Sequence, residues 1–444
     1  MTFDEAVSRS PLRPFHWAVV TVCMLVLVSD GIDLQLLGLV APLVIEEWGV
    51  DRGSFGWAMS AALVGMAFGA WGGGYFGDRF GRRNALAWAA LLFGAATIAA
   101  STSDTIPAMT AWRMIGGLGF GAAFPNSLAL ASEWLPERWR PYAITALSVG
   151  TPAGGSVAAA IAPTLLDAYD WRGTFVVFGI ATLLLIIPIL LVLRDSPSFL
   201  CDKGQDARAR KYAAKVLPAT IADKIDRGRP HTPGQAEGTI GVFHPMNRRL
   251  NWGIGIGFAA STLVAYAIIS WGTTFLTAAG LSLEQALTAS FLVGLTSIAG
   301  ALVAGFLSRR FGSKMVMLGT SIALLATVIA LAALLEAISG PPMPAARITI
   351  QALVAAVSGI VSIGIATIYV MMTLGYPQSC RSAGIGFGML VGRVGAIGTS
   401  FAGGHLIDFG EGSLVPFFAV LGAGAVLIGT SAFIVDRHAG PVAR

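Results

Sequence analysis

Charge is what this sequence has least of: Asp, Glu, Lys and Arg make up 12% of 444 residues, against 55% hydrophobic. Soluble domains carry about 25% charge to keep their surfaces wet. With a mean hydropathy of +0.73, lipid is read as the main solvent. Cysteine is scarce as well. Cys23, Cys201 and Cys380 stand far apart and odd in number, which excludes a disulfide framework and a cysteine metal site. There is no His/Cys cluster, no nucleophile elbow and no Gly-rich phosphate loop ending in Lys. Neither an enzyme nor a metal or organic cofactor is expected. A net charge of +5 would suit nucleic acid, but the basic residues sit in short loops between apolar runs. That placement orients a protein in a membrane and excludes a polyanion groove.

What the chain does have is apolar length. A bilayer core takes roughly 20 apolar residues per helix. On that measure, spans are predicted at 15–45, 55–76, 85–102, 106–130, 142–166 and 174–193, then at 252–278, 286–307, 315–335, 348–376, 383–407 and 414–435. The first follows Arg9 and Arg13 but is too long for a signal-peptide core of about 7–15 residues, and is read as a retained helix. The first and tenth exceed a minimal span, so tilt or extension beyond the bilayer is expected. Of the 29 Lys and Arg, Arg52, Arg172 and Arg347 fall in the loops of one side, Arg113 and Arg393 inside spans, and the rest on the other side. The positive-inside bias makes that basic side cytoplasmic, with both termini there. The hydrophilic segment 194–250 then separates an N-terminal six-helix bundle (1–193) from a C-terminal one (251–444). It reads as a solvated linker with room for one surface helix. Glycine, at 55 residues, suits close helix packing.

The two halves repeat each other. GYFGDRFGRR at 74–83 lies between spans 2 and 3, and GFLSRRFGSK at 305–314 between spans 8 and 9. Pro136 to Arg140 leads into span 5 as Pro377 to Arg381 leads into span 11. Parallel six-helix repeats place a substrate cavity at their interface, near the bilayer midplane. GxxxDRxGRR at this location resembles the signature loop of the major facilitator superfamily. The resemblance implies an all-α membrane protein of twelve transmembrane helices in two pseudo-symmetric bundles. Asp78, Arg79, Arg82 and Arg83 are expected to form a cytoplasmic gate, with Asp78 against the positive N-terminal end of a helix in the other half, such as span 11. Arg309 stands where the Asp would be in the second repeat, so the latch is expected to be asymmetric.

Charges inside the spans mark candidate function. Asp30 and Asp33 share one face of span 1, three residues apart. Asp30 lies 15 residues past Phe15, about 22 Å along the helix and near the membrane's middle. Gly31 leaves room there for a ligand or a neighbouring helix. Arg393 falls at similar depth in span 11 and needs a carboxylate partner or an anionic ligand. Arg113, in span 4, is a candidate partner for Asp33. Gln35, Tyr266 and Trp271 are candidate substrate contacts, with Phe120, Phe124 and Tyr369 as further aromatics. Glu133 is read mainly as a gate or loop contact with a possible proton role, and His405 as an interfacial polar residue. Plainer readings stand beside these: a structural ion pair for Arg393, interfacial acids in span 1, and packing for the aromatics.

The Asp-Gly-Ile-Asp of span 1, the Arg113 helix with its glycines, and Gly-Arg-Val-Gly in span 11 resemble the aromatic acid:proton symporters. That resemblance implies uptake of a benzoate- or hydroxybenzoate-like acid by a bacterial inner-membrane monomer, driven by the proton gradient. It associates Asp30, Asp33, Arg113 and Arg393 with transport. The family's histidine in span 8 has no counterpart here. The chemistry agrees: an anion entering a negative interior works against about 2.3 kcal/mol per 100 mV, which one co-transported proton cancels. Alternatives are an exporter of small organic compounds by proton antiport, suggested weakly by Gly150-Thr151-Pro152-Ala153-Gly154-Gly155, a symporter of a non-aromatic acid, and a membrane receptor.

Overall fold

The computed structural model describes residues 3–8, 10–218, 221, 241–337, 343–377, 380–438 and 440, and among them every regular element is helical. By length and composition, 10 helical runs can cross a membrane. Two are too long for one crossing: Glu137–Val192 has 56 residues and Leu283–Ala337 has 55, about 80 Å of helix against a core of about 30 Å. Each folds back at one residue in the left-handed region, Asp170 (φ 58°) and Gly312 (φ 79°). Asp170 tolerates it because its Oδ1 caps the next helix, accepting from Gly173 N at 3.0 Å. Taking each run as two crossings gives the twelve spans expected.

Spans 1 to 4 are Pro14–Trp48, Arg52–Phe80, Arg82–Ala100 and Ile106–Trp134. Span 5 is Arg140–Ser148 continued by 150–169, and span 6 is 171–184 continued by Ile186–Val192. Spans 7 to 12 are Arg248–Ala278, 283–311, 313–337, Pro344–Gly375, Arg381–Phe409 and Val415–Ile434. The apolar pattern gave no sign of the interruptions at Val149 and Leu185. Pro152 and Pro188 account for them. Each ring clashes with the carbonyl four residues back, at Ser148 and Leu184, where the preceding helix ends.

The linker is less solvated than its composition suggested. Pro197–Asp202 and Asp206–Ala213 are both helical, and Leu200, Cys201, Ala209, Ala213 and Leu217 share a buried core with Phe3 and Trp134. This stretch therefore packs onto the first half. Residues 219–220 and 222–240, with Lys224, Arg227 and Arg229, lie outside the described residues.

The seam between the halves is closed at the end away from the basic loops. There Arg52 Nη1 meets Asp408 Oδ1 at 3.0 Å, and Gly53 N donates to Asp408 Oδ2 at 3.1 Å. Span 2 presses on span 11 so closely that a Cβ on Gly56 would sit 2.1 Å from the Phe401 carbonyl. Span 1 meets span 7 where Thr273 donates to the Gly38 carbonyl, and Ser156 of span 5 donates to the Phe291 carbonyl of span 8 at 3.4 Å. At the basic end no hydrogen bond or ion pair joins the halves among the described residues. Tyr75, Phe80, Phe306 and Phe311 are exposed there, and Gly72, Gly74 and Gly305 have no atom within reach of an added Cβ.

Candidate functional site

The two repeated loops turn on equivalent glycines, Gly81 (φ 95°) and Gly312, in a backbone region that other residues rarely enter. The rest of the signature loop corrects the expected gate. Arg82 pairs with Asp78 at 2.9 Å and with Glu133 through its Nε. Arg83 donates to the Leu190 carbonyl at 2.6 Å, and its backbone N–H to Asp195 Oδ1 at 3.1 Å. Arg79 reaches Tyr75 and the Phe80 ring, both of its own helix. All these partners belong to the first half or to the start of the linker that packs onto it. Asp78 has no partner across the seam among the described residues. Burial pushes the Asp195 carboxyl above the usual range, partly offset by that backbone N–H. The second repeat uses a different cap, Ser313 Oγ against His438 Nδ1 at 3.2 Å.

Glu133 makes a loop contact, as its main reading had it. It is held by Arg82 and by the Ser196 hydroxyl, 20 residues beyond Arg113, or about 30 Å along the helix. It belongs to the basic-end network and not to the span 1 acids.

In mid-span the two aspartates have different surroundings. Asp33 is fully engaged. Thr97 Oγ1 donates to its Oδ1 at 2.6 Å, Arg113 Nη1 to its Oδ2 at 3.0 Å, and Arg113 Nη2 to its backbone carbonyl at 3.1 Å. The pair ties spans 1, 3 and 4 together and is almost wholly buried. Asp30 is 1% exposed, yet among the described residues has only the Thr151 hydroxyl, at 3.4 Å from Oδ2. Its Oδ1 has no hydrogen-bond partner among the described residues. Gly31 makes room for a helix: an added Cβ would lie 1.9 Å from the Thr151 carbonyl of span 5.

Across the seam, Arg393 has no carboxylate within ion-pair distance among the described residues, and its Nη1 rests on Met66 Sδ. Asp30 and Arg393 lie within electrostatic range of each other and of Tyr266, and Arg393 also of Tyr369. Leu34, Leu63, Met66, Phe120, Tyr266, Ala396 and Ile397 form one apolar cluster around this point, contributed by spans 1, 2, 4, 7 and 11. Asp30, Arg393 and Tyr266 thus lie within electrostatic range of one another beside this apolar cluster, which includes Phe120.

Two expected contacts do not join it. Trp271 is completely buried between spans 7 and 11, its Nε1 donating to the Ser400 carbonyl at 3.0 Å. Gln35 turns its Oε1 onto Gly155 of span 5. Thr97, Thr151 and Met66 went unread in the sequence because lone hydroxyls and thioethers in an apolar helix carry no periodic signal. Thr151 lies in the Gly-Thr-Pro run that had suggested an exporter, a run the structure uses to seat span 5 against span 1. Arg52 had entered only as a charge to be counted.

Comparisons with known proteins agree with this architecture. Residues 23–400 match the Major Facilitator Superfamily. The chain is 30% identical over 412 residues to the 4-hydroxybenzoate transporter PcaK of Acinetobacter baylyi, covering 90% of this chain and 87% of that protein. It is 29% identical over 447 residues to the benzoate transport protein of the same organism, covering 98% and 93%. The inward open conformation of the xylose transporter XylE from E. coli superposes with a TM-score of 0.73 at 18% identity, over 95% of this chain and 97% of that one, a likeness of fold alone. A twelve-span chain with paired signature loops, a sealed seam at one end and this ancestry belongs to the Major Facilitator Superfamily, beside relatives that are named as aromatic acid transporters.

Proposed function

We propose that this protein imports an aromatic carboxylic acid of the benzoate or hydroxybenzoate kind together with a proton. It does so as a monomer in a bacterial inner membrane, with its basic face and both termini in the cytoplasm. The observation that carries this reading is the unpaired Arg393 facing the poorly solvated Asp30 in an apolar, aromatic-lined chamber. A guanidinium without a carboxylate partner is a two-point seat for a substrate carboxylate. Tyr266 and Phe120 present ring surface beside it.

Asp30 is assigned the proton. As an anion it would sit buried with one orphaned oxygen, which is costly, while Asp33 already has Arg113 and Thr97. Protonation of Asp30 removes a negative charge from the field of Arg393 and leaves the arginine free for the substrate anion. Deprotonation restores a competitor for Arg393 and favours release. The six-helix halves are the moving units, and a basic end without bonds across the seam corresponds to a cytoplasm-facing arrangement.

The test is uptake of radiolabelled benzoate by proteoliposomes under an imposed proton gradient, acid outside. Accumulation faster than in protein-free liposomes under the same gradient, collapsing with a protonophore and ignoring an excess of xylose, is expected. Failure to take up benzoate, or competition by xylose, would overturn the substrate assignment.

A further inference from the structure

We infer that the cavity at the cytoplasmic ends of spans 7 and 11 is a second binding site for the aromatic carboxylate, occupied as it leaves the chamber, with Arg248 as its anion anchor. This rests on the function proposed above. The cavity measures about 560 Å³ and is walled by Phe243, Trp252 and Phe387, with Arg248 at its edge. That volume suits a small aromatic ligand. Phe243 and Phe387 stand edge to face, centroids 5.6 Å apart, so ring surface is offered from the linker and from span 11 together.

The neighbouring polar groups are committed. Arg249 donates to the Ile434 carbonyl at 3.2 Å and Arg437 to Asn247 Oδ1 and the Gly375 carbonyl, both at 3.1 Å. Asn251 accepts from the Tyr376 hydroxyl at 2.6 Å and donates to the Val242 carbonyl at 2.9 Å. Arg248 alone of this group has no ion pair or hydrogen bond to a described residue. It is exposed at an apolar wall with no protein partner among the described residues, which leaves it free to meet an anion whose body is a ring.

The cavity also lies on the route out. Trp252, Ala259 and Tyr266 are spaced by seven and share one face of span 7, so the face that borders the chamber continues into the cavity wall. Phe387 precedes Arg393 by six residues, about 9 Å nearer the cytoplasm. A substrate released by Arg393 meets the aromatic wall first and Arg248 at the mouth.

The full-length protein in phosphatidylcholine nanodiscs, photolabelled with 4-azidobenzoate, tests this. Labelling is expected on two sets of peptides, one from the chamber (Met66, Tyr266) and one from the cavity (Phe243, Trp252, Phe387), both competed by benzoate. Arg248→Gln should lower cavity labelling about tenfold, the loss expected for one charge-assisted contact, and leave chamber labelling in place. Arg393→Gln should do the reverse, and Arg248→Lys should restore part of the cavity signal. In transport, Arg248→Gln should raise half-saturation from the cytoplasmic face about five- to tenfold and change that from the outer face less than about twofold. Chamber labelling without cavity labelling overturns this inference alone. Absence of both overturns the aromatic-acid reading as well. Cavity labelling that phosphatidylglycerol suppresses and benzoate does not would assign the groove to lipid headgroups and also overturn it.

Discussion

Asp30 and Asp33 sit one turn apart on the same helix and still have separate tasks, because their neighbours differ. Asp33 is neutralised by Arg113 and hydrogen-bonded by Thr97, so it acts as a structural tie among spans 1, 3 and 4. Removing one partner of a buried ion pair strands the other charge and costs about 3–5 kcal/mol. Arg113→Gln is therefore expected to lower the thermal unfolding midpoint in detergent markedly. Asp33→Asn added to it should recover part of the loss, since no lone charge then remains. If Arg113→Gln unfolds like the unmodified protein and only transport suffers, Asp33–Arg113 belongs to the substrate site and not to the scaffold. The pairing of Arg113 with Asp33 was legible in the sequence from depth alone. The division of labour between the two acids was not, because it depends on Thr97 and on the absence of any cation bonded to Asp30, which are facts of three-dimensional placement.

Helices approach one another here through glycine contacts, and that determines which substitutions the elements tolerate. A Cβ at Gly31 would meet the Thr151 carbonyl at 1.9 Å, backbone that cannot yield without parting spans 1 and 5. Gly31→Ala is expected to destabilise the protein by about 1–3 kcal/mol, as overpacking does, and to reduce the yield of folded protein. Gly72→Ala, in span 2 where nothing lies within 4 Å, should be neutral or stabilising by up to about 1 kcal/mol, through helix propensity alone. Equal unfolding midpoints for the two variants would refute the packing at Gly31. The spans themselves could be read from apolar length, and the two loops that turn at Gly81 and Gly312 from their repeated sequence. Two features escaped that reading. The breaks at Val149 and Leu185 arise from prolines three residues downstream, inside runs whose hydropathy is uninterrupted. The packed helices after span 6 are polar in composition and are buried only because the first half offers Trp134 and Phe3 to cover them.

For the whole molecule, the seam is sealed by spans 2 and 11 at one end and unbonded among the described residues at the other. The loop residues expected to bridge it, Asp78 and its arginines, instead pair within their own half. A gate read from sequence belongs to one conformation, and a basic end without bonds across the seam is not the conformation in which that gate would be shut. The Arg52–Asp408 contact is the counterpart at the sealed end. Each side chain there is about one-third exposed, so the pair is worth at most about 1 kcal/mol and can open. Linking Arg52→Cys to Asp408→Cys with a short bismaleimide should abolish uptake while preserving benzoate binding from the cytoplasmic face. Uptake that survives the cross-link would show that the sealed end need not open.

The central claim is that a proton on Asp30 and an anion on Arg393 depend on each other. Paired assays of the Asp30→Asn protein in proteoliposomes test it most directly: benzoate exchange at equal concentrations, and benzoate accumulation driven by a proton gradient. The account predicts that exchange persists while accumulation and the accompanying proton uptake disappear, because the amide mimics a carboxyl that is always protonated. Asp30→Asn protein that still concentrated benzoate in step with the proton gradient would contradict it.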